Sequence, residues 1–558
     1  MSTDEIRELY LSFFERRGHK RLPSGSLVPA SFDPSVLLTT AGMQPLKPYF
    51  LGLEQPPTRR LTSCQKCFRT VDIENVGNTT RHLTFFEMLG NFSVGDYFKQ
   101  GAVELALELS LEGFGFDAED IWISVFEGDE ELGLGPDEEA IAAWEAVGIP
   151  RSRIIALPRS ENFWQAGPTG PCGPCSELYL DRGLEWGTED DLPGGDNERF
   201  LEFWNLVFMQ YDQDPVGHLT PLPANNIDTG LGLNRMALIQ QGVPTIFETD
   251  QFLPLMALGR ELATVPEPDE RALRILADHT RGTAFLIADG VVPSNEDRGY
   301  VLRRLMRRAL QQGHRIAIEP GFLPRYVDVV VATMGRAYPE LVARLDTILK
   351  WVRAEEEGFG RTLEQGTRLL DQLLRAGELA GADAFRLHDT YGFPIELTRE
   401  IAAERGVPFA GEDEFERRMG EQRARSAAAG GRARVGADAE VVRAFGAEPT
   451  TFTGFEHLTE HTTVAGVADR DGRTFVKLAE SPFYAEGGGQ ISDSGIVECE
   501  GGDCRARVAS VVRAGEDQWT RELNSQIRRN QDAIDAILRD AGVPILDDYG
   551  KGEKPAAG

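Results

Sequence analysis

A chain of 558 residues is too long for one hydrophobic core and predicts three or four domains. Hydrophobic residues at 41% and charged residues at 26% are ordinary for a globular protein, and no apolar run nears the ~20 residues that span a membrane. The formal net charge of -31 argues against a generic nucleic-acid binder, because neutralising phosphates normally supplies most of that affinity.

The chain opens on an amphipathic helix pattern, with Ile6, Leu9, Tyr10, Phe13 and Phe14 at helical spacing. It lacks the apolar stretch of a signal peptide, which predicts a cytoplasmic protein. A turn-rich segment, PSGSLVPASFDPS, leads to TTAGMQPLKPYF, where Met43 is expected at a strand end as core filler or the floor of a pocket.

The organising stretch is Cys64 to Lys99, CQKCFRTVDIENVGNTTRHLTFFEMLGNFSVGDYFK. It predicts an antiparallel hairpin: one strand ending at Phe68-Arg69, a turn around Asn75-Val76-Gly77-Asn78, and a return strand from His82 to Leu89. Strand alternation then places His82, Thr84, Phe86 and Met88 on one face and Leu83, Phe85, Glu87 and Leu89 on the other. A guanidinium fork at Arg69 beside a flat ring suits a nucleotide, the fork holding a phosphate and the ring stacking on a base.

Next come a helical pattern from Gly101 to Glu112, a strand from Ile121 to Phe126 and a helix from Asp137 to Val147. Residues 161–180, ENFWQAGPTGPCGPCSELYL, are dense in Gly and Pro and predict a loop that shapes a site, with Trp164 as core anchor or pocket wall. The acidic, Gly-rich residues 181–199 read as a solvated excursion. FLEFWNLVFMQY is a strand by composition, with Phe203, Asn205, Val207, Met209 and Tyr211 on one face. A buried amide costs free energy unless hydrogen-bonded, so Asn205 is either tied to backbone or aimed at a polar ligand. In NNIDTGLGLNR a short strand passes into a helix, and Asp228 serves either as the helix N-cap or as a carboxylate for an ammonium group, with Arg235 available to a phosphate.

Helix follows helix from about 246 to 429. Within this region Arg298, Arg303, Arg304, Arg307, Arg308 and Arg315 form a run without an acidic residue, a basic helix able to hold one phosphate backbone on an acidic body. LHDTYGFPIELT (387–398) predicts a turn with Pro394 starting another helix. Residues 430–438 read as a linker, 439–510 as a small β-barrel, and 511–558 as an amphipathic helix and tail. The HLTEH of His457 and His461 has metal spacing on a helix but reads as surface. Six cysteines, Cys64/Cys67, Cys172/Cys175 and Cys499/Cys504, are expected as reduced thiols rather than a zinc site, the two CxxC pairs lying far apart.

Taken in order, AGMQP, the CFRTVDIENVG to GNFSVGDYFK run, NFW, TGPCGPCSE, FWNLVFMQY, DTGLGLNR and SNEDRGYVLRRLMRRA resemble the alanyl-tRNA synthetase family of class II aminoacyl-tRNA synthetases from residue 1 to about 430. SPFYAEGGGQISDSG extends the resemblance to about 510. It implies an α+β fold: a class II antiparallel sheet with flanking helices over 1–245, a helical tRNA-recognition domain over 246–429, and the start of an editing-region barrel.

The resemblance also implies roles. Arg69 would contact the α-phosphate of ATP, and Phe86 would stack on adenine opposite Arg235, with His82 and Met88 completing the ATP site. Met43, Trp164, Asn205 and Val207 would wall an alanine pocket, Asp228 would hold the alanine ammonium, and Gly230 would leave space beside it. Arg69, Asp228 and Arg235 would be the catalytic set, with Mg²⁺ beside ATP and no zinc. Asn295 and Asp389 would read the G·U pair of the alanine tRNA acceptor stem, with Arg303, Arg304, Arg307 and Arg308 on its phosphates.

In that family a longer chain continues into an editing domain with zinc-ligand histidines and a C-terminal module. No histidine follows His461, so the expectation is a short form without cis editing, and a monomer. The expected activity is alanine–tRNA ligation. Its alternatives are an alanine-activating paralogue that loads a carrier protein or peptide, and a non-catalytic regulator.

Overall fold

The computed structural model describes residues 1–429 apart from 30–32, 34–35, 166–168, 196, 215–216, 296 and 376, and then 450–453, 459–470, 473–483, 495–498 and 505–508. The expected linker, the tail and most of the SPFYAEGGGQISDSG motif lie outside the described residues. Contacts divide the chain into two compact units, Met1–Gln365 and Gly366–Gly558. The helices from residue 246 as far as 343 therefore share a unit with the sheet, and the division falls later than the expected 245.

The first unit is built on a nine-stranded, mainly antiparallel sheet. Its strands are β1 (Lys20–Arg21), β2 (Arg60–Phe68), β3 (Phe85–Val94), β4 (Ile121–Phe126), β5 (Ile154–Leu157), β6 (Phe163–Gln165), β7 (Gly170–Asp181), β8 (Phe200–Gln213) and β9 (Leu219–Gly232). They run in the order β1-β2-β3-β9-β8-β7-β4-β5, with β6 on β7. The expected hairpin is β2–β3, closed by the pair Phe68–Phe85. Its return strand starts at Phe85 rather than His82, because Thr84 is turned inward to donate to Asp278 at 2.5 Å.

One face of the sheet carries the main core. Ser2 and Glu5 form a capping box on the helix Thr3–Glu15, whose Ile6, Tyr10, Phe13 and Phe14 are buried. They join Leu89, Trp204, Leu206, Phe208 and Leu231 with the helices Lys99–Glu108, Glu138–Ala146 and Leu233–Gln241. Burying full side chains of this size contributes roughly 1.5–3 kcal/mol each, so this face is committed to stability. The opposite face holds a smaller cluster of Met43, Phe92, Cys175, Val207 and Met209, with Met88 and Trp164 partly buried against it.

Residues 161–180 correct the sequence reading most sharply. Phe163–Gln165 form β6 and Gly170–Asp181 the twelve-residue β7, which is buried over most of its length rather than looped. The β7–β8 register breaks between Cys172–Tyr211 and Cys175–Val207, an interval that contains Gly173 and Pro174. Gly173 is required there: a Cβ would lie 2.0 Å from the Phe208 carbonyl oxygen. A second break, between Leu178–Trp204 and Tyr179–Glu202, leaves Phe203 in the main core rather than beside Asn205. Tyr211 likewise leaves that face and packs with Phe126, Phe163 and Cys172.

The helices Glu270–Ala288 and Asp297–Arg315 pack on the sheet, with Phe85 stacked on Phe285 at 4.0 Å. The second unit contains the helices Gly381–Tyr391, Ile395–Glu404 and Glu412–Ala429. The expected turn at 387 is the last part of the first of these, which ends at Gly392 with φ 68°. Beyond them the described residues include three two-stranded ladders, Thr451–Phe452 with Glu480–Ser481, Val464–Arg470 with Arg473–Leu478, and Gly495–Glu498 with Arg505–Val508. His461 is exposed outside any helix, and His457 lies outside the described residues.

Candidate functional site: a buried carboxylate beside an arginine cluster

Strand register assembles the pocket. Across β8–β9, Asn205 pairs with Gly230 and Val207 with Asp228, while across β7–β8 Glu177 pairs with Asn205 and Cys175 with Val207. β3 adds Met88, paired with Gly232. Paired residues in an antiparallel ladder share a face, so one patch carries Met88, Cys175, Glu177, Asn205, Val207, Asp228 and Gly230. Met43 and Trp164 pack against the same cluster. Met43 lies in the turn before the short helix Gln44–Leu46, not at a strand end, and is fully buried. The Gly42 N–H donates to the Met88 Sδ at 3.3 Å, which holds that flexible side chain in place.

The pocket is small. A Cβ at Gly230 would meet the Met88 sulfur at 3.0 Å, so the absence of a side chain there is what leaves space. Its polar end is Asp228, which is 5% exposed and lies inside β9 rather than at a helix N-cap. Burial pushes its carboxyl up to about 7, and no hydrogen bond from a described residue offsets this. Asn205 is tied to a side chain, not to backbone: its Nδ2 donates to Glu177 Oε1 at 2.9 Å, and its Oδ1 is buried without a partner.

The arginine cluster lies at the end of the hairpin. Arg69, half-buried just after β2, stands 4.9 Å from the Phe86 ring and donates from Nε to the Thr40 carbonyl at 3.4 Å. Arg235, on the helix Leu233–Gln241, pairs with Glu202 at 2.5 Å. His82 lies ahead of β3 and is hydrogen-bonded to Thr79 Oγ1 at 2.8 Å. Burial lowers its pKa; Asp72 opposes this, and Arg235, Arg81 and Arg69 add to it. Such an arginine cluster, with one aromatic face, is matched to a polyphosphate bearing a flat base.

Glu177, Glu202 and Arg81 escaped sequence reasoning. Glu177 lay in the segment read as loop; strand alternation from Cys175 would have placed it beside Asn205. Its carboxyl is pushed up to about 8, first by burial and then by Glu202. Among the described residues no three ligating side chains converge as a metal cage. Mg²⁺ is normally held by one or two carboxylates plus phosphate oxygens, and a hard oxygen donor such as Glu202 beside the arginine cluster fits that demand. Cys64, Cys67, Cys172 and Cys175 are buried free thiols on β2 and β7. Burial pushes the Cys64 and Cys172 thiols up to about 12, which makes them poor nucleophiles.

The basic helix is only partly available. Arg308 is 2% exposed and donates to the Ile73 carbonyl at 2.6 Å, with His279 Nε2 at 2.9 Å, so it is a structural residue and not a phosphate contact. Arg303 and Arg307 share Glu355 at 3.3 and 2.7 Å, and Arg304 pairs with Glu74. Asn295 is exposed and accepts from Arg303. Asp389 is exposed on the helix Gly381–Tyr391 in the second unit.

A family model described as tRNA synthetases class II (A) matches residues 5–532. An alanine–tRNA ligase of Thermotoga sp. (strain RQ2) is 45% identical over 556 residues, covering 96% of this chain and 63% of the relative. One from Rubrobacter xylanophilus is 46% identical over 545 residues, covering 93% of this chain and 60% of the relative. The chain thus spans somewhat less than two thirds of the length of these curated relatives.

Proposed function

The chain belongs to the class II (A) tRNA synthetases, and from that membership we propose that it activates alanine with ATP and transfers it to the 3′ end of alanine tRNA. The observation that carries the reading is the buried, unpartnered Asp228 in a pocket narrowed by Met88, beside the Arg69–Phe86 pair. An ammonium group neutralises that carboxylate, and the space beside Gly230 suits a methyl side chain. The two curated relatives carry the name alanine–tRNA ligase, which supports alanine as the amino acid.

In this reading the alanine carboxylate attacks the α-phosphorus of ATP. A carboxylate-oxygen-to-phosphorus bond forms, the bond to the leaving oxygen breaks, and pyrophosphate departs with its electron pair. Arg69 stabilises the charge on the α-phosphate, Phe86 stacks on adenine, and Arg235 with His82 lines the nucleotide. Glu202 would hold Mg²⁺ together with the phosphates, and the ion supplies charge neutralisation there. The terminal ribose hydroxyl of tRNA then attacks the adenylate's carbonyl carbon, the bond from that carbon to the phosphate oxygen breaks, and AMP departs with the hydroxyl proton on a phosphate oxygen. Asp228 and Asn205 act by positioning, which is where most of the acceleration in such a reaction arises.

On the tRNA side, Asn295 and Asp389 are the proposed readers of the G·U acceptor pair, with Arg303, Arg304 and Arg307 available once their carboxylate partners are displaced. No helix among the described residues is long and apolar enough to cross a membrane, and the cytoplasm is the compartment that this role implies. The test is alanine-dependent ATP–pyrophosphate exchange, followed by charging of alanine tRNA carrying a G·U or a G·C acceptor pair. Exchange with G·U-dependent charging is expected. Exchange without charging would transfer the reading to another acceptor, and no exchange would overturn it.

A further inference from the structure

A carboxamide has nearly the same shape when rotated by half a turn, but its chemistry reverses: one orientation offers N–H donors to a ligand, the other an acceptor oxygen. Which of the two Asn205 presents decides whether its pocket welcomes a cation or repels one. The hydrogen bond to Glu177 selects one of the two orientations. Asn205 Nδ2 donates to Glu177 Oε1 at 2.9 Å, and the two residues are direct partners across the β7–β8 ladder, so the backbone sets their separation. An ionised Glu177 accepts and cannot donate, so rotating the amide would set oxygen against oxygen; because burial and Glu202 push its carboxyl up to about 8, the lock is complete above that pH, where the exchange assay is run.

Glu177 is itself held. It is 8% exposed, and its Oε2 accepts from the Tyr179 hydroxyl at 2.6 Å and from Ser124 Oγ at 3.4 Å, which leaves Oε1 for Asn205. The consequence appears at the far end of the amide, where Oδ1 is buried with no partner. Gly230 lies directly across the ladder from Asn205, and Asp228 lies across from Val207 on the same face. Two adjacent strands therefore present oxygens that lack donors.

We propose that Glu177 is a positioning and specificity-determining residue: by fixing the Asn205 carboxamide with its oxygen free, it makes the pocket an acceptor pair for the α-ammonium of an amino acid. This rests on the reading that the pocket binds alanine. A primary ammonium carries three N–H donors and satisfies both oxygens at once, whereas the single hydroxyl of an α-hydroxy acid cannot. Glu177 thus acts on substrate choice without touching substrate.

The experiment is alanine-dependent ATP–pyrophosphate exchange on the 558-residue chain, with KM for alanine and for ATP measured for the wild type, Glu177→Gln, Asn205→Asp and the double variant. Glutamine can donate as well as accept, so Glu177→Gln frees the amide to rotate. Alanine KM is expected to rise about ten- to a hundredfold, the scale of a lost hydrogen bond to a charged group, while kcat and ATP KM hold. Asn205→Asp alone places two carboxylates in contact and also weakens alanine binding. Together the two changes rebuild the pair with its polarity exchanged: the amide now on β7 donates, the carboxylate now on β8 accepts, and the second oxygen of that carboxylate remains free. Alanine KM in the double variant should return to within about threefold of the wild type, an interaction that independent structural damage does not produce. An unchanged alanine KM in Glu177→Gln, or a double variant no better than the combined singles, overturns the assignment of Glu177 alone. A wild-type chain without alanine-dependent exchange overturns it together with the functional reading.

Discussion

Replacing Asp228 by Asn tests whether the buried carboxylate waits for a cation. In the folded protein its pKa rises from 3.8 to about 7 through burial. The folded state therefore holds this proton more tightly than the unfolded chain, so the contribution of Asp228 to stability is most favourable below pH 4, falls as the pH climbs toward 7 and levels off above. At 1.36 kcal/mol per pH unit, the raised pKa of Asp228 costs about 4 kcal/mol at pH 8, where the group is buried ionised, and about 1.5 kcal/mol at pH 5, where it takes up a proton on folding. Asn keeps the shape and removes the charge. Its own unmade hydrogen bonds cost about 1–2 kcal/mol, but equally at both pH values. The diagnostic quantity is thus the change between them: relative to the wild type, Asp228→Asn should gain about 2–3 kcal/mol on going from pH 5 to pH 8. Urea unfolding followed by tryptophan fluorescence at the two pH values measures this. Alanine-dependent exchange should fall by at least about a hundredfold in the same variant, as expected for a lost charge-assisted contact. A stability difference that does not change with pH would mean that the carboxylate is already satisfied, and retained exchange would mean that it does not hold the ammonium.

Arg69→Ala should lower the exchange rate by about two to three orders of magnitude, the effect of removing one preorganised charge from a transition state; a rate within tenfold of the wild type would place the α-phosphate elsewhere. Asn295→Ala should leave exchange intact and impair charging of tRNA, a separation read by running both assays on one preparation. Arg308→Gln should behave differently. Loss of its buried bond to the Ile73 carbonyl destabilises the protein by about 1–3 kcal/mol, and charging should fall only as far as exchange does. Gly173→Ala should cost about 3 kcal/mol or more, because the added methyl meets backbone that cannot retreat; soluble protein with unchanged thermal unfolding would show that the β7 break is not as tight as described.

Local pattern carried the elements whose causes are local. The capped helix at Thr3–Glu15, the strand Ile121–Phe126 and the β2–β3 hairpin follow from side-chain periodicity and turn residues, which act over a few positions. The residues of the pocket were legible for the same reason, since Asn205, Val207, Asp228 and Gly230 sit in short, distinctive words. Where the causes lie far away along the chain, the tertiary structure decided. The Gly- and Pro-rich residues Gly170–Asp181 are a strand because β8 supplies a ladder to pair with, broken across Gly173 and Pro174. Asp228 is a buried carboxylate rather than a helix cap because β9 continues to Gly232 in order to pair with Met88. Arg308 is withdrawn from the basic helix by partners 235 and 29 positions away. The sequence by itself determined which side chains are available to the proposed amino-acid and nucleotide sites. Their orientation, protonation and availability were settled only by strand register and burial, because the free energy of a charge depends on neighbours that local sequence does not contain.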